Sequence, residues 1–113
     1  MTVIELPMPP STNGLFVNGR KGRFRSQKYD EWIQEAGWEL ARQRPAKVAG
    51  PVVLTFTFEE PKRKYDISNR LKAPEDLLVS HGIIEGDDCS IVRGISARFS
   101  ESVKGVKIEI ESV

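Results

Sequence analysis

Asp66 and the run Glu85-Gly86-Asp87-Asp88 are the places where residue type and spacing could support catalysis. Asp66 follows a strand-like run and a basic cluster, and the Glu85 to Asp88 run follows a helix-like segment just before another strand. In a strand-helix-strand unit such loops can converge at a sheet edge. Two carboxylates ~4 Å apart near a surface repel by about 4 kcal/mol, a cost that a bound cation removes. Oxygen donors of this kind suit Mg²⁺, a hard ion that takes one or two carboxylates and fills its shell with water and substrate phosphate. Lys62, Arg63, Lys64 and Lys72 lie close in sequence and would hold a phosphodiester, and water activated by the ion could attack phosphorus without a histidine base. With one histidine, His81, and one cysteine, Cys89, the chain cannot supply the roughly four N and S ligands of a zinc site, and it offers no internal disulfide.

Each of these residues also has an ordinary use. Asp66 could cap a helix by accepting a hydrogen bond from the amide of Ser68 or Asn69. Asp87 and Asp88 could be solvated loop acids, Lys72 a surface lysine, and Cys89 a small residue at a strand start. His81, next to Gly82, is placed to favour a helix C-terminus.

The elements that must position these groups follow from periodicity. Thr2 to Leu6 reads as a short strand that ends at Pro7-Met8-Pro9-Pro10. Asn13-Gly14 and Asn18-Gly19 are turn signals that favour a small hairpin around Leu15-Phe16-Val17, with the basic cluster on its far arm. Tyr29, Trp32, Ile33, Ala36 and Leu40 form the apolar stripe of a helix from Tyr29 to about Arg44, and Trp38 falls off that stripe. Val52 to Phe58 alternates as a strand with Val52, Leu54, Phe56 and Phe58 on one side. A second helix is expected from about Ser68 to His81, bent at Pro74 and stopped by Gly82. Ser90 to Phe99 and Val106 to Ile110 close the chain as strands, the first with Ile91, Ile95, Ala97 and Phe99 on one side and the pair read as a hairpin. The expected fold is α/β in the α+β sense: a single domain over residues 1–113 in βαβαββ order, a mixed sheet with two helices packed on it.

A chain of 113 residues, 39% hydrophobic and 29% charged, is one globular domain's worth, which excludes a multi-domain machine. No apolar run approaches the ~18 residues of a membrane span, and the N-terminus lacks the pattern of a signal peptide, so a cytoplasmic protein is expected. The net charge of +1 hides a polarity. Residues 1–64 carry 11 Lys and Arg against 7 acids, and residues 65–113 carry 6 against 9. Five bases, Arg20, Lys21, Arg23, Arg25 and Lys28, fall in nine residues with Phe24 among them, and Lys62, Arg63 and Lys64 form a second cluster. Such asymmetry points to nucleic acid.

Three separated segments carry a family resemblance: Leu6-Pro-Met-Pro-Pro-Ser-Thr-Asn13, Lys62-Arg-Lys-Tyr-Asp66-Ile-Ser-Asn69-Arg-Leu-Lys72 and Gly82-Ile-Ile-Glu-Gly-Asp87-Asp88-Cys-Ser-Ile-Val92. In order and spacing they resemble the RusA-type Holliday junction resolvases over nearly the whole chain. The resemblance implies a small α/β homodimer, often encoded by phages or prophages, that uses Mg²⁺ to nick opposed strands of a four-way DNA junction. It places Asp66 at the first motif aspartate, Asn69 at the asparagine, Lys72 at the lysine and Asp88 at the second residue of the acidic pair, with Asp87 its neighbour. Asp66, Asp87 and Asp88 are then the expected metal ligands, and Asp66, Ser68, Lys72 and Asp88 the expected catalytic set. The two basic clusters, Asn69 and Arg70 are the expected DNA contacts. One position departs: Ser68 stands where the motif usually has its second aspartate. A hydroxyl can ligate Mg²⁺ but is neutral. Asp76, four residues beyond Lys72 on the same helix side, is the expected compensating carboxylate, with Glu75 less well placed. The leading expectation is a Mg²⁺-dependent structure-specific endonuclease; the rival is a junction-binding protein of the same fold impaired in cleavage through Ser68.

Overall fold

The computed structural model describes residues 1–113. Period-two patterning builds its main sheet from β1 (Thr2–Leu6), β4 (Val52–Glu59), β5 (Val92–Ser100) and β6 (Val106–Ser112), in the order β1-β6-β4-β5. β6 runs antiparallel to both β1 and β4, while β5 runs parallel to β4. Ile4 and Leu6, Leu54, Phe56 and Phe58, and Val106, Ile108 and Ile110 are all buried and form one apolar face. Each such side chain taken from water contributes about 1.5–3 kcal/mol.

Helix α1 (Gln27–Gln43) covers this face with Trp32, Ala36 and Leu40, and α2 (Lys72–Ser80) adds Ala73, Leu77 and Leu78. Ser26 starts α1, its hydroxyl accepting from the Tyr29 amide at 3.1 Å and donating to the Gly14 carbonyl at 2.6 Å. Trp38 points away from the core and is 68% exposed. Between β1 and α1 lies a separate hairpin, β2 (Phe16–Gly19) and β3 (Gly22–Arg25), which carries most of the first basic cluster as expected.

Three expectations are corrected. The last two strands are not a hairpin: β6 enters the sheet between β1 and β4, so β5 and β6 flank β4 without pairing. Val106, Ile108 and Ile110 are buried on one face of β6, and they gain more in an interior strand paired on both sides than in an edge strand paired with β5 alone. Ile95 shares the inner side but sits on the edge strand β5 and is 42% exposed. The second helix is also shorter than read. Ile67–Arg70 is a 3-10 turn, and α2 begins only at Lys72. Pro74 therefore falls in the first turn of α2, where an amide has no intrahelical acceptor to lose, and it starts the helix rather than bending it. The stop is as expected: His81 ends α2 and Gly82 follows at φ +70°.

Candidate active site

Asp66 sits at the head of the Ile67–Arg70 turn, where its carbonyl accepts from the Asn69 amide at 3.1 Å. Its carboxylate caps nothing, so the ordinary capping role is carried by the backbone alone. Asp66 and Ser68 are both exposed.

The turn is held from outside. Thr12 Oγ1 donates to the Asn69 carbonyl at 3.0 Å, and Arg70 Nη1 donates to the Pro9 carbonyl at 2.7 Å. The Arg70 guanidinium lies 4.5 Å from the centre of the Tyr65 ring, which meets Phe99 of β5 edge to face at 5.6 Å. The N-terminal Pro-rich segment is thus a strap across the turn that carries Asp66 and Ser68. Trp32 of α1 anchors that strap from behind by donating to the Pro7 carbonyl at 3.0 Å. The residue types of Pro9 and Thr12 carry no functional signal of their own; their only sequence signal is their place in the first motif segment.

Lys72 and Asp76, one helical turn apart on α2, form an ion pair at 3.1 Å. The hydrogen bond that Lys72 donates to Asp76 holds its amine above its ordinary range, with the charge of Asp76 next and that of Asp87 behind it, so Lys72 stays cationic. Asp76 also faces the hairpin, lining a cavity with Phe16, Arg25 and Tyr29. Glu75 takes the other direction. Burial, followed by the negative charge of Asp87, pushes its carboxyl above the usual carboxylate range. The structure therefore gathers Lys72, Glu75, Asp76 and Asp87 into one electrostatic neighbourhood.

Asp88 is engaged locally. Its Oδ1 accepts from the Ser90 amide at 2.8 Å and from the Ser90 hydroxyl, bonds that hold the carboxyl below its ordinary range. Its carbonyl accepts from the Ile91 and Val92 amides at 3.0 and 2.9 Å, which fixes the loop to the start of β5. No three His, Cys, Asp or Glu side chains converge to hold one ion. The donors present are nonetheless all carboxylate oxygens and exposed at Asp66, Asp87 and Asp88, which fits a hard dication that takes one or two carboxylates and completes its shell with water and phosphate.

Among the expected DNA contacts, Lys62, Arg63 and Lys64 are exposed in the loop after β4. Arg20, Lys21 and Lys28 are exposed as well, whereas Arg25 pairs with Asp30 at 3.0 Å and the Arg23 guanidinium lies 4.3 Å from the Phe16 ring centre. Arg70 is half-buried under the strap.

No helix is long and apolar enough to cross a membrane. No curated protein matches the chain. Among protein families, the model described as endodeoxyribonuclease RusA matches residues 7–111 of 113, from the first residue of the strap through both acidic segments and into β6, stopping one residue short of that strand's end. The chain belongs to the RusA endodeoxyribonuclease family, the hydrolases of DNA phosphodiester bonds that resolve Holliday junctions.

Proposed function

We propose that this protein, all 113 residues forming one nuclease domain, is a Mg²⁺-dependent homodimer that resolves four-way junctions by paired nicks, in recombination and repair in the cytoplasm of a bacterial or phage-infected cell. The observation that carries this reading is the strapped turn, which holds an uncapped, exposed Asp66 on a rigid backbone beside the Lys72 helix.

In this reading Asp66 and Asp88 bind the ion, with Asp87 direct or through water. A bound ion would offset negative charge on the phosphate and lower the pKa of its water. Lys72, kept protonated by Asp76, stabilises the charge that develops on the phosphate oxygens. Ser68 contributes a neutral hydroxyl to a water or to the ion. Asn69, its carbonyl already taken by Thr12, keeps its side chain for the DNA backbone. Lys62, Arg63, Lys64 and the hairpin bases contact phosphates, and Arg70 holds the turn.

A second reading rests on Ser68, a neutral hydroxyl where the motif usually carries an acid: a junction-binding protein with impaired cleavage. A synthetic four-way junction incubated with and without Mg²⁺ separates the two. Mg²⁺-dependent paired nicks support the nuclease. Tight junction binding that survives excess linear duplex, with no product at any Mg²⁺ concentration, supports the binding protein.

A further inference from the structure

The β2–β3 hairpin has two unlike faces. Its cross-strand pairs alternate, so Phe16 and Arg25 share one side and Val17 and Phe24 the other. The first side is occupied: Phe16 meets Tyr29 of α1 edge to face at 5.9 Å, Arg23 lies over Phe16, and Arg25 pairs with Asp30. The second side is open, with Phe24 56% and Val17 41% exposed.

A lone exposed apolar residue is ordinary. Phe24 differs in how it is held and in what surrounds it. Its ring lies against the backbone of Gly19, where even a Cβ would come within 2.5 Å of the ring, so the missing side chain is the seat on which the ring rests. Arg20 and Lys21 form the turn beside it, and no acid lies between Gly19 and Arg25. An aromatic ring propped on a glycine and flanked by cations is complementary to one chemistry, a nucleobase between two phosphates.

We infer that Phe24 is a stacking platform for a base at the branch point of the DNA, with Arg20 and Lys21 gripping the adjoining phosphates. The inference rests on the junction reading above and deepens it. In linear duplex every base already has stacking neighbours on both sides, so the ring gains little. At a branch point a base loses a neighbour, and the ring replaces it. Phe24 therefore acts on the choice of branched over linear DNA, while Arg20 and Lys21 act on both.

The test measures binding of the full chain to a four-way junction and to a linear duplex of the same arm sequence, with 2-aminopurine placed at the branch. Phe24→Ala should weaken junction binding by about 5- to 150-fold, the range spanned by stacking of one base, with duplex binding unchanged. Phe24→Leu keeps an apolar cover on Gly19 and Val17 but no π face, and should lose the junction preference too. Phe24→Trp should keep it, and the 2-aminopurine signal should respond to native protein and Phe24→Trp but not to Phe24→Leu. A native preference for junctions that survives both Phe24→Ala and Phe24→Leu overturns the stacking role alone. Native protein that binds junction and duplex equally overturns the junction reading itself.

Discussion

At the scale of single residues, the departure at Ser68 and the engagement of Asp88 set the sharpest expectations. Asp88→Asn keeps an Oδ1 acceptor for Ser90, so the loop into β5 should hold its shape while one negative charge is lost. Cleavage should fall below detection, and junction binding should stay equal or tighten because less negative charge faces the DNA. Full activity in Asp88→Asn would remove this carboxylate from the metal site. Ser68→Asp restores a second acid to the turn and should raise cleavage or lower the Mg²⁺ it needs. If Asp76 already supplies that charge, Ser68→Asp changes little, and Asp76→Asn lowers activity while leaving Lys72 unpaired. The pairing of Lys72 with Asp76 was legible because residues four apart on a helix meet. The approach of Glu75 to Asp87 was not, because it depends on how the loop after α2 folds back, which no local spacing specifies.

At the scale of elements, the strap explains why a Pro-rich segment far from the acids belongs to the site. Pro9 and Pro10 hold the chain extended and leave carbonyls without a sheet partner, and Arg70 takes the Pro9 carbonyl. Arg70→Ala leaves that carbonyl unpaired beneath the turn, and the loss of a hydrogen bond from a charged donor costs about 1.5–3 kcal/mol. Stability and cleavage should both fall while the salt dependence of DNA binding stays as in native protein. Lys62→Ala should do the reverse, flattening the log-log salt slope by about 0.9 for one lost phosphate contact without changing thermal stability. If Arg70→Ala flattened the slope by the same amount, Arg70 would be a phosphate contact and the strap secondary. Periodicity read the strands and α1 to within a few residues, because their burial patterns are strong. It overran at the start of α2, where a 3-10 turn and an α-helix share similar apolar spacing and only Pro74 marks the true first turn.

At the scale of the whole molecule, the proposed paired cleavage calls for two copies of the chain. The sheet was legible as mixed and helix-covered, but not its order, because the insertion of β6 between β1 and β4 is a choice among long-range partners that alternation alone leaves equal. That insertion leaves β5, which follows the acidic loop, at the sheet edge, and the strapped turn packs beside it through Tyr65 and Phe99. Each chain carries one set of these acids, whereas the proposed symmetric resolution of a four-way junction takes two equivalent cuts. A two-fold axis supplies the second site from an identical chain without any new sequence. In the proposed dimer the carboxylates should lie toward one face, ringed by the two basic hairpins and the two Lys62 to Lys64 loops. Sedimentation at micromolar concentration with junction present should therefore give a complex of two chains per junction, and mixing native protein with Asp88→Asn should give nicks without resolution. A complex containing a single chain that still makes both cuts would mean that one site acts twice in succession, and the two-fold arrangement would be wrong.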